Sequence, residues 1–290
     1  MNNHRFIFGC GYVGYRLAVT ETQLGHPVTA LVRSEEKFRE LSQQGINCVK
    51  LDLDQPLDDI AIDTTNAVTH YHVPPSPQGQ QDSRIRNFFT LLEHSGLPQR
   101  IVLISTSGVY GNTDGRWVNE SSPVNPSTDR AIRRLDAEQT ASAWCQDNAV
   151  SLVILRVPGI YGPGRTPEAR LANPVINKAE APYSNRIHVD DLVTACVKAG
   201  TIENPLPIYN VVDDQPSTMT DYFNAVADHA GLPRPPVISM AEAQHRLSPA
   251  MLSYLGESRR IENAALRDHL GVALRFPNLK AGLAHCFKRN

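Results

Sequence analysis

The stretch FIFGCGYVG, Phe6–Gly14, decides the fold of this 290-residue chain. A short apolar strand is followed directly by three glycines in G-x-G-x-x-G spacing. The first glycine allows a tight turn, the second lets the backbone approach a pyrophosphate, and the third lets helix and strand pack closely. The helix that follows points its N-terminus at that anion. The spacing predicts a dinucleotide-binding turn, whose contact residues are Gly9, Gly11, Tyr12, Val13 and Gly14.

The end of the second predicted strand indicates which nicotinamide cofactor the turn holds. An acidic residue there binds the ribose 2′-hydroxyl, whereas an arginine accommodates a 2′-phosphate. The chain has Arg33 and Ser34 at this place, and its first carboxylate is Glu35. A charge-assisted bond from Arg33 contributes about 1.5–3 kcal/mol. We expect NADP or NAD, with NADP slightly favoured; if Arg33 is merely solvated, both cofactors bind.

Strands and helices alternate through the first half of the chain. The predicted strands are Arg5–Phe8, Pro27–Val32, Ile46–Leu51, Ala67–Tyr71, Arg100–Ser105 and Ser151–Val157, and the predicted helices include Tyr12–Leu24, Glu35–Gln44 and Arg84–His94. These strands are apolar on both faces, which is typical of a parallel sheet covered by helices on both sides. The pattern predicts an α/β fold with a Rossmann-type doubly wound parallel sheet and a smaller C-terminal lobe. We expect a dinucleotide-binding domain over residues 1–160, to which 186–212 returns, and a small mixed lobe over 161–290.

Composition excludes several classes of protein. The net charge is −2, with no basic run, so we expect no nucleic-acid or membrane partner. The odd and scattered set of cysteines predicts neither a disulfide framework nor a metal site: Cys10, Cys48, Cys145, Cys196 and Cys286. The expected location is the cytoplasm.

Seven motifs in order along the chain carry a family resemblance. They are GCGYVG (9–14), LDLD (51–54), HVPP (72–75), ISTSGVYG (104–111), LRVPGIYGPG (155–164), RIHVDDL (186–192) and YNVVDDQPSTM (209–219). With them, the chain resembles the extended short-chain dehydrogenase/reductases, the NAD-dependent epimerase/dehydratases. The resemblance implies a nicotinamide dinucleotide in the N-terminal domain and a small-molecule substrate, often a nucleotide sugar, against the C-terminal lobe.

The resemblance also assigns roles to single residues. It places the catalytic hydroxyl at Thr106, with Ser107 as the alternative. Apart from the resemblance, His188 is expected to pack as a structural residue before a helix. Further contacts to the cofactor are implied for Asp52, Leu53, His72, Val73, Pro74 and Pro158. Family members commonly form homodimers through a helix pair that would here include residues 84–94 and 130–144.

The resemblance fails at the proton relay. The helix in PSTDRAIRRLDAEQ should carry a tyrosine and a lysine, but those places hold Arg130 and Arg134. Deprotonating an arginine at pH 7 costs about 8 kcal/mol, more than general acid–base catalysis supplies. The two guanidinium groups share one helix face, so they either bind an anion or remain solvated, with Glu138 pairing with Arg134.

Two interpretations follow. In the first, the chain is an NAD(P)-dependent enzyme related to nucleotide-sugar epimerases, dehydratases and reductases, with an atypical active site. Its proton then comes from Tyr110, Tyr161, Tyr183 or water, while Arg130 stabilises a developing oxyanion. In the second, the chain is a non-catalytic dinucleotide sensor or partner-binding protein. In the segment that resembles the closing helix of the family, Arg259 or Arg260 either faces the substrate or, as is commoner for an arginine, is exposed to solvent.

Overall fold

The computed structural model describes residues 3–57 and 60–288. The strands are β1 Arg5–Phe8, β2 Val28–Val32, β3 Asn47–Lys50, β4 Val68–Tyr71, β5 Arg100–Thr106, β6 Trp117–Val118, β7 Ser151–Val157, β8 Gly159–Tyr161, β9 Val175–Ile176, β10 Tyr183–Ser184, β11 Arg186–His188, β12 Ile208–Asn210, β13 Ser217–Thr218, β14 Val237–Ile238 and β15 Arg260–Ile261. The α-helices are α1 Tyr12–Gln23, α2 Glu35–Gln43, α3 Ser83–Ser95, α4 Asp129–Asp147, α5 Val189–Thr201, α6 Met219–Ala230, α7 Met240–Arg246, α8 Pro249–Leu255 and α9 Leu279–Cys286.

A seven-stranded sheet forms the centre of the fold, in the order β12-β7-β5-β4-β1-β2-β3. The ladders between β5, β4, β1, β2 and β3 are parallel. All residues of β1, β2 and β4 are buried. Burial on both faces explains why these strands are continuous apolar runs rather than alternating ones. The predicted Rossmann-type doubly wound sheet is confirmed.

Side-chain caps fix where the helices begin. The Ser34 hydroxyl accepts a hydrogen bond from the Lys37 amide (3.3 Å) and starts α2. The Asp82 carboxylate accepts bonds from the amides of Arg84 and Ile85 and starts α3. Each cap satisfies helix-terminal N–H groups that have no partner within the helix. The predicted bounds of α1, α2 and α3 are confirmed to within one residue.

The chain divides into two compact units. Unit 1 comprises Met1–Val109, Asp129–Arg156 and Leu192–Tyr209, and unit 2 comprises Tyr110–Thr128, Val157–Asp191 and Asn210–Asn290. In unit 2, short strands pair as β8 with β11, β9 with β14, β10 with β13 and β6 with β15. Within residues 3–57 and 60–288, none of the helices has the length and apolar content needed to cross a membrane.

A buried ion pair in unit 1 fixes α4 against the sheet. The carboxylate of Glu138 on α4 lies 2.8 Å from Nη2 of Arg156 on β7, and Nε of Arg156 also donates to it. The Ser105 hydroxyl on β5 donates to the same carboxylate. Both ionic side chains are 5% exposed. Because the carboxylate is bonded from two strands at once, α4 has one position on the sheet.

Replacement of Glu138 by Gln keeps the side-chain shape but leaves the Arg156 charge buried without a counter-ion. We expect the free energy of unfolding to fall by about 3–5 kcal/mol. Urea denaturation followed by circular dichroism measures it. The matched control is Glu203→Gln at an exposed glutamate, which should change stability by less than about 0.5 kcal/mol. Equal stability of the two variants would contradict the assignment.

Candidate functional site

The glycine turn between β1 and α1 has two positions that accept no side chain. Gly9 has φ +90°, and a Cβ there would lie 3.0 Å from the carbonyl carbon of His72 and from the amide of Val73. A Cβ at Gly14 would overlap the carbonyl oxygen of Gly9. The first glycine thus permits the left-handed turn. The third permits α1 to pack against that turn, as the spacing predicts.

The middle glycine leaves open space. A Cβ at Gly11 would meet nothing within 4 Å among the described residues. Gly11 is also the N-cap of α1, and no side chain in the described part of the chain caps that helix. Among the described residues, no side chain therefore satisfies the amides of the first turn, which is the arrangement found at helix N-termini that bind anions. The neighbouring Val13 is buried in the core. The Arg16 guanidinium packs over the Tyr12 ring, with its carbon 4.0 Å from the ring centroid.

A positively charged side chain is exposed at the end of β2. Arg33 is exposed directly after the strand. Glu35, the first carboxylate after it, lies 3.1 Å from Nε of Arg39 and 3.3 Å from Nζ of Lys50. Hydrogen bonds from Lys50 and Arg39 lower the pKa of Glu35. The carboxylate nearest in sequence is thus already paired, and Ser34 serves as the cap of α2.

The segment after β3 is fixed by its own contacts. Asp52 Oδ1 accepts a hydrogen bond from the Asp54 amide (3.1 Å), so this carboxylate closes a turn. The Leu53 side chain is buried, and its carbonyl accepts a bond from the Asn87 side-chain nitrogen (2.7 Å). Asp54 forms a two-point ion pair with Arg84 on α3. These contacts hold the segment beside the sheet edge that carries the glycine turn.

The residues that follow β4 include a histidine whose ring has no hydrogen-bond partner in the described part of the chain. Neither ring nitrogen of His72 has a hydrogen-bond partner among the described residues, and burial lowers the pKa of His72 to about 3. The ring is therefore neutral at physiological pH. Its Nδ1 would be 3.4 Å from a Cβ at Gly14. Pro74 is exposed, and the Val73 carbonyl accepts a bond from Arg134.

The predicted catalytic hydroxyl lies beside the first turn of α4. Thr106 Oγ1 accepts a hydrogen bond from the Gly108 amide (3.1 Å). A Cβ at Gly108 would lie 3.4 Å from this oxygen and 3.5 Å from Cβ of Ala131, the residue after Arg130. Ser107 is only 5% exposed, whereas Thr106 is half-buried. The structure brings Thr106 and the start of α4 together, and Thr106 is more accessible than Ser107.

Arg134 is held by main-chain atoms. Its Nη1 donates to the carbonyls of Val73 and Ile104, both at 3.2 Å. Burial lowers its pKa. The expected ion pair with Glu138 is wrong, because Glu138 is bonded to Arg156 and Ser105 instead. The interpretation of two solvated arginines is likewise wrong for Arg134. Arg130 lies half-buried in the first turn of the same helix.

Two buried polar groups near Arg134 were not predicted from the sequence. The Tyr71 hydroxyl and Asp82 Oδ2 have no hydrogen-bond partner within residues 3–57 and 60–288. Burial raises the pKa of Tyr71 and that of Asp82, and the Arg134 charge opposes both shifts. The sequence around Tyr71 and Asp82 does not predict that both residues lie near Arg134, because these three residues come together only in the folded chain.

Two of the three tyrosines that could donate the proton are buried in unit 2, and their hydroxyls have hydrogen-bond partners there. The Tyr110 hydroxyl, 1% exposed, donates to Asn210 at 2.8 Å. Tyr161 is fully buried against Gly282, its hydroxyl lies 3.5 Å from the Asn278 carbonyl, and burial raises its pKa. Tyr183 is 40% exposed. Of these three tyrosines, only Tyr183 has an accessible ring.

Other predicted residues of unit 2 have mainly internal contacts. Pro158 lies between β7 and β8. Arg259 donates to the Gly111 carbonyl and pairs with Glu257 at 2.6 Å, so it is not a free anion-binding group. The Arg260 guanidinium lies 5.2 Å from the Trp117 ring centroid.

His188 is packed in the interior, as expected from the sequence. It is fully buried, and its Nδ1 accepts a bond from the Asp190 amide (3.2 Å) while Nε2 faces Nδ1 of His285 at 3.4 Å. Possible metal-ligand atoms of His188, Asp190 and His285 lie within 4.8 Å of one another. Since Nδ1 accepts an N–H, Nε2 of the neutral ring carries the proton. This tautomer favours a structural role over metal binding.

The comparison with protein families agrees with this geometry. The model of the NAD dependent epimerase/dehydratase family matches residues 6–211. The chain belongs to this family. The match spans the glycine turn, the end of β5, α4 and β11, which are the segments that the motifs identified. The family fold is an NAD-binding fold of the nucleotide-sugar epimerase/dehydratase type.

The proteins that this chain resembles over nearly its whole length differ strongly from it in sequence. YeeZ of Escherichia coli strain K12 is 24% identical over 289 residues, which cover 94% of this chain and 96% of YeeZ. A conserved protein of unknown function from Silicibacter pomeroyi has a TM-score of 0.82 and 27% identity, with 98% of each chain covered. UDP-glucuronic acid 4-epimerase from Bacillus cereus, in complex with UDP-glucuronic acid and NAD, has a TM-score of 0.74, 16% identity and 98% coverage of each chain. This last likeness shows the fold alone.

Two Gly→Ala variants in the glycine turn should affect different properties of the protein. Gly11→Ala adds a Cβ in open space, so we expect the wild-type melting temperature and at least about tenfold weaker binding of NADPH and NADH, because the methyl blocks the pyrophosphate. Gly14→Ala overlaps the Gly9 carbonyl and should lower the melting temperature by several degrees.

Thermal unfolding and fluorescence titration measure the two effects. Wild-type cofactor affinity in Gly11→Ala would remove the turn from the cofactor site. A wild-type melting temperature in Gly14→Ala would contradict the packing of α1.

Proposed function

We propose that the chain is an NAD(P)-dependent protein of the nucleotide-sugar epimerase, dehydratase and reductase group, with Arg130 and Arg134 in place of the tyrosine and lysine. The observation that carries the proposal is the glycine turn: Gly11 faces open space, and none of the described side chains caps α1. When bound, the nicotinamide supplies hydride transfer. Unit 1 supplies the anion site at the turn and the groups around Thr106.

The cofactor preference that we propose is for NADP over NAD. It is supported by Arg33, which is exposed where the 2′ position of the adenosine ribose is recognised in this fold. It is further supported by Glu35, whose carboxylate is paired with Arg39 and Lys50 and so competes poorly for a ribose hydroxyl. A 2′-phosphate on Arg33 gains a charge-assisted bond that a hydroxyl lacks.

Three residues have separate roles where the substrate meets the nicotinamide: Thr106, Arg130 and Arg134. Thr106 holds a substrate oxygen through its hydroxyl, and Arg130 stabilises negative charge on that oxygen without giving up a proton. Arg134 fastens the carboxyl ends of β4 and β5 through the carbonyls of Val73 and Ile104. The proton has to come from water or from an exposed side chain, because Tyr110 and Tyr161 are buried with their hydroxyls bonded.

The second candidate function is a dinucleotide sensor without turnover. The commitment of Arg134 to two carbonyls favours it, because a guanidinium fixed in that way is less available to a ribose than the ammonium of a lysine. A sensor of this kind binds the cofactor at the same turn and changes its shape or partner instead of transferring hydride.

A titration followed by a turnover assay tests the proposal. Tryptophan fluorescence reports binding of NADPH and NADH. Turnover is measured on a panel that begins with UDP-glucose and UDP-glucuronic acid. Absorbance of the reduced nicotinamide reports net oxidation or reduction, and chromatography of the nucleotide sugars reports epimerisation or dehydration, in which the hydride returns to the product. Binding with turnover supports the enzyme. Binding without turnover across the panel supports the sensor, and no binding of either cofactor removes both.

Replacement of Arg33 by Asp should reverse the cofactor preference. The carboxylate repels a 2′-phosphate and accepts bonds from ribose hydroxyls, so we expect NADPH to bind about 10–100-fold more weakly relative to NADH. Arg246→Asp, which makes the same charge change at an exposed arginine of α7, is the matched control. If Arg33→Asp leaves the ratio of the two dissociation constants unchanged, Arg33 does not contact the cofactor.

The double variant Arg130→Tyr with Arg134→Lys tests whether the relay alone is missing. A tyrosine with a lysine one turn later restores general acid–base catalysis, so we expect turnover to rise about 10²–10⁴-fold on a substrate that the wild type binds. Arg133→Tyr, on another face of α4, is the control and should give no gain. Loss of cofactor binding in the double variant would instead show that Arg134 is needed to form the site.

A further inference from the structure

A carboxylate close to Arg33 is held by an arginine of α3. The strands β2 and β3 are parallel neighbours, with Val32 paired with Lys50, so the chain leaves both strands at the same edge of the sheet. Arg33 directly follows β2, and Asp54 lies in the segment that follows β3. Hydrogen bonds from Arg84 lower the pKa of Asp54, and the nearby positive charge of Arg33 acts in the same direction. Two cations therefore act on one carboxylate.

The ion pair between Asp54 and Arg84 has two hydrogen bonds. Arg84 Nε donates to Asp54 Oδ1 at 2.8 Å, and Nη2 donates to Oδ2 at 2.5 Å. The Arg84 side chain is 12% exposed. Its third nitrogen, Nη1, donates to the carbonyls of Pro74 (3.0 Å) and Pro75 (3.3 Å), which follow β4. Because all three nitrogens are bonded, the planar guanidinium holds the Asp54 carboxylate in one place.

Two further carboxylates near these strand ends have contacts of their own. Glu35 pairs with Arg39 and Lys50, and Asp52 closes a turn. Asp54 differs from both, because its partner comes from α3 and its charge lies within reach of Arg33. A carboxylate without a partner at this place would repel a 2′-phosphate and would accept a hydrogen bond from a ribose hydroxyl.

From these contacts we propose that Arg84 helps to determine the cofactor preference, because it neutralises Asp54 and so leaves Arg33 to meet the 2′-phosphate of NADP. This role rests on the proposed function. Arg84 is a positioning residue, since it acts through Asp54. Without Arg84, the Asp54 carboxylate can pair with Arg33 or accept a bond from the 2′-hydroxyl of NAD, and both changes favour NAD.

The bonds of Arg84 to Pro74 and Pro75 give it a structural role as well. Loss of these bonds alters the chain after β4 whatever the charge of Asp54. Removal of the Asp54 charge therefore separates the two roles. It should cancel the effect of a freed carboxylate, but it cannot replace the bonds to the two carbonyls.

Fluorescence titration with NADPH and NADH tests the proposal, and the measured quantity is the dissociation constant of NADH divided by that of NADPH. Arg84→Gln should lower this ratio about tenfold, mainly through weaker binding of NADPH. The matched control is Arg86→Gln, which removes the same charge from a two-point ion pair with Asp136 on another face of α3. At physiological salt it should change the ratio by less than about twofold.

Two variants of Asp54 complete the test. Asp54→Asn in the background of Arg84→Gln should restore the ratio to within about threefold of the wild type, because the freed negative charge is gone. Asp54→Asn alone should raise the ratio about threefold, because the Arg84 charge then lacks its counter-ion beside the phosphate. This single variant decides the matter if Arg84→Gln does not fold. Circular dichroism and the melting temperature show which variants are folded.

The possible failures are distinct. If the wild type binds both cofactors and Arg84→Gln leaves the ratio unchanged, Arg84 has no such role, whereas the proposed function is unaffected. An equal fall in Arg84→Gln and Arg86→Gln would indicate a general loss of positive charge. A ratio that Asp54→Asn does not restore would assign the effect to the bonds with Pro74 and Pro75. If the wild type binds neither cofactor, the proposed function fails and the role of Arg84 with it.

Discussion

The buried carboxylate of Glu138 joins three elements of unit 1, because it accepts hydrogen bonds from Arg156 of β7 and Ser105 of β5 while it sits on α4. A charge at this depth requires its partners, and their geometry leaves the helix one position on the sheet. Arg134 and Arg130 lie one and two turns before Glu138 on the same helix. Thr106 directly follows Ser105. The placement of the reacting groups thus depends on an ion pair that takes no part in the proposed reaction.

The guanidinium of Arg134 occupies its place in a different way from an ammonium. A planar group with several donors can bond two carbonyls at once, and Val73 and Ile104 present theirs where β4 and β5 end. Arg134 is therefore a brace between two strand ends of the sheet. The guanidinium of Arg134 keeps its positive charge and lies one helical turn from that of Arg130, while the ring of His72 behind the glycine turn is neutral. Under the proposed function, a site of this composition would stabilise an anion but would exchange protons poorly.

Local pattern was sufficient for the fold and for the cofactor turn. The three glycines have the surroundings that their spacing predicts, and the sheet and the first three helices lie where apolar runs and capping residues place them. The partners of the charged residues could not be predicted, since Glu138 and Arg156 meet across 18 residues and the alternative partner, Arg134, was nearer in sequence. Likewise, nothing in the motifs around Tyr110 and Tyr161 reveals that both hydroxyls are buried.

The bonds of Arg134 end on peptide carbonyls, and every residue type supplies that atom. Positions 73 and 104 can therefore change their side chains during divergence without loss of the brace, provided that the strand ends keep their course. Glu138, Arg156 and Ser105 have no such freedom, because both contacts of Glu138 are with side chains, and a change at any of the three residues removes a bond to a buried polar group. Among relatives that carry an arginine at position 134, the residues at positions 73 and 104 should thus vary, whereas Glu138, Arg156 and Ser105 should be retained or replaced together.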